Sequence, residues 1–152
     1  MNSLQSEFLL SYKIQVETLH DIGPVPLGTR HLDCLGEGSF EGPKLRGVIL
    51  PGGIDQKIFR SDGAMNQNVR MILRTDDNAL IYVQYTGVRY GTAEVMSKIA
   101  AGETVEPTEY YLRSTPYFET ASEEYGWLNR IVSVGIGRRM PDHAAYDVYE
   151  VL

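Results

Sequence analysis

The chain has 152 residues, about one domain's length, enough to bury a core without disulfide support. Hydrophobic residues make up 43% and charged residues 22%, which excludes wholesale disorder. Fourteen basic against 20 acidic side chains give a formal charge of −6, and no basic run is long enough to hold a nucleic-acid backbone.

Alternation of period two dominates from the start. Phe8, Leu10, Tyr12, Ile14 and Val16 share one face of a first strand, with Ser11, Lys13, Gln15 and Glu17 on the other. A turn is expected over Asp21–Pro26 and another over Gly36–Pro43, followed by a strand at Leu45–Leu50. Pro51-Gly52-Gly53 reads as a chain reversal, and Ser61-Asp62-Gly63 as a further turn. Strands follow at Val69–Thr75 and Ala79–Thr86, with Asp76-Asp77-Asn78 between them as a tight hairpin. Thr92 suits a helix N-cap and Gly102 a stop, with Val95, Met96 and Ile99 on one apolar face, so the spacing predicts one short helix over 92–101. The last strands are expected at Glu109–Ser114, Arg130–Ile136 and Ala145–Val151. Many short strands with regular turns, and no linker or repeat, point to a single mostly all-β domain over 1–152, a barrel or a sandwich.

Cys34 is the single cysteine and can form neither an internal disulfide nor a thiolate metal site. The segment Met1 to Leu10 lacks a basic start and no apolar run approaches a membrane span, so a cytoplasmic location and no membrane partner are expected. His20, His31 and His143 share no ligand spacing, and no nucleotide loop is visible, so neither a metal nor a cofactor is expected.

Ordered blocks across nearly the whole chain carry a resemblance. They run through Gly28-Thr29-Arg30, Gly42-Pro43-Lys44-Leu45-Arg46-Gly47, Pro51-Gly52-Gly53-Ile54-Asp55, Asp62-Gly63 and Leu73-Arg74-Thr75-Asp76-Asp77. They continue through Glu109-Tyr110-Tyr111-Leu112-Arg113, Pro116-Tyr117-Phe118-Glu119-Thr120, Trp127-Leu128-Asn129-Arg130 and Val134-Gly135-Ile136-Gly137-Arg138-Arg139. In these blocks the chain resembles the domain-of-unknown-function family 3237. The resemblance implies a closed antiparallel β-barrel, lipocalin-like in shape, assembled as a homodimer or larger homo-oligomer. It also implies kinship with enzymes of secondary metabolism that close an oxygen ring on an aromatic polyketide. The chain departs from the family's pattern at two places: Gln56 stands where a Trp usually follows the Gly-Gly-x-Asp block, and Asn68-Val69 stands where an acidic residue and a tyrosine are common.

Asp55 is the first candidate for chemistry. Following a Pro-Gly-Gly turn, it either bonds nearby backbone N–H groups or serves as a general acid or base in an apolar cavity. Arg46 and Arg113 are the second, since a guanidinium fork holds carboxylates or phenolates. Equally, Arg46, Arg113 and Glu119 fit a buried ion network that fixes the barrel's register. Tyr82, Tyr111, Tyr117 and Trp127 are candidates to line a pocket for a planar ligand, with Glu119 and Asn129 beside them. Two functions stay open: a cofactor-independent cyclase or isomerase acting by proton transfer on a small aromatic or polyketide-like metabolite, and a carrier that binds such a molecule without turnover.

Overall fold

In the computed structural model, which describes residues 2–152, the chain forms nine antiparallel strands and one helix. In order they are β1 (Ser6–Val25), β2 (Gly28–Glu41), β3 (Arg46–Ile49), β4 (Gly53–Phe59), β5 (Met65–Thr75), β6 (Leu80–Gly91), α1 (Ala93–Ala100), β7 (Tyr110–Glu119), β8 (Ser133–Arg139) and β9 (His143–Val151). The order around the sheet is β1-β9-β8-β7-β6-β5-β3-β2, and β1 pairs β2 to close it into a barrel. Strands β3 and β4 occupy one place in this ring, end to end between β2 and β5. Among the described residues no helix is long and apolar enough to cross a membrane.

Several local expectations hold for the stated reasons. Between β5 and β6, Asn78 adopts a left-handed φ of 69° in the Asp76-Asp77-Asn78 turn, as a short asparagine can. The Thr92 hydroxyl accepts the Val95 N–H at 3.2 Å and caps α1, whose Val95 is buried. The core gathers inward residues of every long strand, among them Leu10, Tyr12, Ile14, Leu73, Ile81, Val83, Leu112 and Val148. Each such side chain contributes about 1.5–3 kcal/mol of burial.

Other expectations need correction. The Pro51-Gly52-Gly53 segment does not reverse the chain: β3 and β4 both run antiparallel to β2, on either side of this kink. Gly52 takes a φ of 106°, and its N–H donates to the Leu35 carbonyl, so the kink is a dislocation within one line of strand. The regions 21–26 and 36–43 are mostly strand, because β1 and β2 form a long hairpin that turns only at residues 26–27. Phe8 is 40% exposed, since a register shift between Phe8 and Leu10 puts Leu9 and Leu10 both in the core.

Candidate functional site

Inward positions of β2, β4, β5, β6 and β9 carry polar side chains that a filled apolar core would exclude. Asp33 and Asp55 are register partners on β2 and β4, and both are buried. Lys57, two residues along the same face of β4, forms an ion pair with Asp33 at 2.6 Å. Across the barrel, Gln67 and the Tyr146 hydroxyl hydrogen-bond at 2.7 Å, and Tyr146 packs against Tyr12 and Tyr85 at centroid distances of 5.1 and 5.4 Å. Arg89 is buried and faces the same interior space. These groups surround a cavity of about 20 Å³, room for a single water and no more.

Burial is the largest influence on Asp55 and raises its carboxyl pKa to about 6. The Lys57 charge opposes that rise, the Asp33 charge adds to it, and the Asn68 N–H, which donates to Asp55 Oδ1 at 3.3 Å, opposes it again. This hydrogen bond sits where the β4–β5 ladder is interrupted. Asp55 pairs with Val69 and Ile58 with Asn66, but Gln56 and Lys57 have no ladder partners on β5. The carboxylate thus replaces a backbone acceptor at a gap in the barrel wall. Burial likewise raises the Tyr12, Tyr85 and Tyr146 phenols and lowers Arg89.

A larger space lies on the other side of the same wall. The outer face of β2 and of β4 to β8 forms an open groove of about 670 Å³. Its lining includes Arg30, Arg60 and Arg113, the amides Gln56, Asn66 and Asn68, and the apolar Ile58, Val88 and Val134. Of these cations only Arg60 has a carboxylate partner, Asp62. Among the described residues no Asp or Glu pairs with Arg30 or Arg113. Backbone carbonyls hold them instead: Arg113 Nη1 donates to Leu112 at 3.0 Å, and Arg30 Nη1 to Lys57 at 3.5 Å. The Arg113 guanidinium also lies 4.9 Å from the Tyr111 ring centroid. The wall is thin here because Gly87, between Gln67 and Ser114 in register, carries no side chain. A Cβ on Gly87 would stand 2.7 Å from the Arg113 carbonyl oxygen.

The sequence-derived candidates therefore divide between two compartments rather than meeting in one. Asp55 points inward. Arg46 points out to solvent and pairs with Asp76 at 2.9 Å, because its position on β3 alternates with the inward Ile49. Arg113 and Tyr111 line the outer groove. Tyr82, Tyr117 and Glu119 share that outer face of β6 and β7 beyond the groove, where Tyr82 donates to Gln84 and Tyr117 to Glu119. The ion network of Arg46, Arg113 and Glu119 does not form: Arg46 and Glu119 are exposed, and neither is near Arg113 in an ion pair. Trp127 and Asn129 lie in a short 3₁₀ segment, Gly126–Arg130, outside both compartments. The Lys44 ammonium sits 5.0 Å from the Trp127 ring, and Asn129 brackets the Thr120 backbone with two hydrogen bonds.

Asp33, Lys57, Gln67, Arg89 and Tyr146 escape the sequence reading. The signal was alternation: Asp55 and Lys57 at spacing two, within a segment whose neighbours Ile54 and Ile58 read as strand. Of the residues that depart from the family pattern, Gln56 and Asn68 line the groove, whereas Val69 is buried in the core.

The sequence model of the protein family of unknown function DUF3237 matches residues 4–151. A UPF0311 protein of Rhodopseudomonas palustris is 30% identical over 150 residues, 99% of this chain and 98% of its own length. The crystal structure of a conserved protein of unknown function from the same species superimposes with a TM-score of 0.97 at 30% identity over the whole of both chains. A beta-barrel like protein from Acinetobacter baumannii superimposes with a TM-score of 0.87 at 36% identity, over all of this chain and 98% of that one.

Proposed function

The chain belongs to the DUF3237 family, and from that premise we propose that it binds a small acidic molecule with a partly apolar body in the outer groove of its barrel. One observation carries this reading. On a chain of formal charge −6, the groove gathers three arginines, and among the described residues two of them, Arg30 and Arg113, have no carboxylate partner. Guanidiniums held by backbone carbonyls keep donors free for a ligand carboxylate or phenolate. The groove's volume suits a small metabolite, whereas the interior cavity beside Asp55 does not. The test is thermal denaturation with benzoate and salicylate against their neutral amides. The acids should raise the melting temperature and the amides should not, and replacing both Arg30 and Arg113 by Met should abolish the shift. Equal shifts from acids and amides would refute the reading.

A second reading, a cofactor-independent acid/base enzyme acting on an aromatic or polyketide-like metabolite, has one specific support. The carboxyl of Asp55 stands at a gap in the ladder directly behind the groove, paired across strands with Asp33. Two neighbouring carboxyls in unlike environments suit proton transfer. In that reading Asp55 exchanges a proton with the ligand through the gap, and Arg113 stabilises the developing enolate or phenolate. Asp55→Asn would then abolish turnover and leave ligand binding intact. Arg46 and Trp127 have no part in either reading.

Self-association as a homodimer or larger assembly, in the cytoplasm, belongs to the same proposal. Self-association is supported by Val48, Ile72 and Leu80, exposed on the outer faces of three strands adjacent in the sheet, β3, β5 and β6. Sedimentation velocity at high micromolar concentration decides it.

A further inference from the structure

One row of the ladder crosses the groove from end to end. Arg30 of β2 stands opposite Ile58 of β4, Ile58 opposite Asn66 of β5, Asn66 opposite Val88 of β6, and Val88 opposite Arg113 of β7. All five side chains line the groove. An arginine thus marks each end of the row, with two aliphatic side chains and one amide between them. Four strand spacings separate the two arginine backbones, about 19 Å along the curved wall at about 4.8 Å each. Both are long side chains that can lean inward from their strands, so the gap between their charged heads is shorter than that path.

The row has three properties that constrain a ligand. First, the positive charge is split between its two ends, so one compact anion satisfies one arginine and leaves the other without a partner. Second, the middle is largely apolar, with Ile58 and Val88 flanking the single amide Asn66 beside the bare backbone of Gly87, which favours an apolar body over a hydrated chain. Third, the neighbouring row, Asn68–Thr86–Thr115, is polar and uncharged, and so can hydrogen-bond a substituent at mid-length without adding charge.

We infer that the groove selects a two-headed ligand, an elongated aromatic molecule with an acid group at each end, held by Arg30 at one head and Arg113 at the other. This rests on the groove being the ligand site and adds the ligand's class. The stack of Arg113 on Tyr111 fixes one head's position, and the carbonyl of Lys57 fixes the other.

Isothermal titration of the full chain with a para-linked biphenyl dicarboxylate and with the corresponding monocarboxylate tests the inference. The diacid should bind at least about tenfold more tightly than the monoacid, the worth of one added charge-assisted hydrogen-bonded pair. Arg30→Met and Arg113→Met should each reduce the diacid to the affinity of the monoacid, with circular dichroism spectra unchanged. Equal affinities for the two acids, lost in only one of the variants, would overturn the two-headed ligand and leave the groove reading standing. No binding of either acid would overturn both. A neutral biphenyl diamide that binds as tightly as the diacid would remove the charge argument itself.

Discussion

The inner and outer faces of the wall from β4 to β7 use the same kinds of side chain to opposite effect. Inside, Lys57 is locked to Asp33, Gln67 to Tyr146, and the remaining space holds at most one water. Outside, Arg30 and Arg113 hydrogen-bond backbone carbonyls, Arg113 also lies over the Tyr111 ring, and both face an open groove. A buried charge must be paired or it destabilises the fold, whereas a charge at the surface is free to be kept for a ligand. The inner face therefore reads first as stability and the outer face first as recognition. Asp55 stands between them, inward in direction but bonded to the strand that carries the groove residue Asn68.

The sharpest way to break this comparison is to remove Lys57. Lys57→Met leaves Asp33 and Asp55 as neighbouring buried carboxyls with their closest cation gone. Urea denaturation at neutral pH should show a loss of about 3–5 kcal/mol. A loss below about 1 kcal/mol would mean the interior is wetter than its burial indicates.

Next comes the pH dependence set by Asp55. Its carboxyl keeps its proton to about pH 6 in the folded barrel but only to about pH 4 in the unfolded chain. Between those values the folded state binds more protons, so the contribution is complete below about pH 4 and is lost as pH rises through 6. Stability should fall over that window by on the order of 3 kcal/mol. Asp55→Asn should flatten this part of a stability-against-pH profile. An unchanged slope would place the titration on another group.

Gly87→Ala acts on the wall between the two faces. The added methyl meets the Arg113 carbonyl oxygen at 2.7 Å and Gln67 Nε2 at 3.0 Å, so the two strands must part slightly. A loss of about 1–3 kcal/mol is expected, together with weaker ligand binding. The smallest stability effect belongs to Arg113→Met, within about 0.5 kcal/mol of the parent, because no buried partner loses its charge. Its consequence should appear in acid binding alone.

Much of the fold was legible along the chain. Alternation located β1, β5, β6, β7, β8 and β9, and the capping of Thr92 located α1, because each signal is local. The glycine-rich stretches misled. Gly36 and Gly38 look like turn residues, yet they lie within β2 where neighbouring chain leaves no room for a side chain: a Cβ on Gly38 would stand 2.2 Å from the Lys13 carbonyl oxygen. Pro51-Gly52-Gly53 has the composition of a reversal, but Leu35 supplies a carbonyl that keeps the strand in line. Neither partner can be read from the local sequence.

By itself the sequence determined the class of the fold and the alternating pattern of most strands, since alternation and turn chemistry depend on neighbours within a few residues. Tertiary structure alone decided which candidates meet. Facing is reset by every register shift, as between Phe8 and Leu10, and a polar residue's meaning depends on the strand placed opposite. Closure of the barrel set Asp33 across from Asp55, turned Arg46 to solvent, and put Arg30 and Arg113 at the two ends of one row, although 83 positions separate them along the chain.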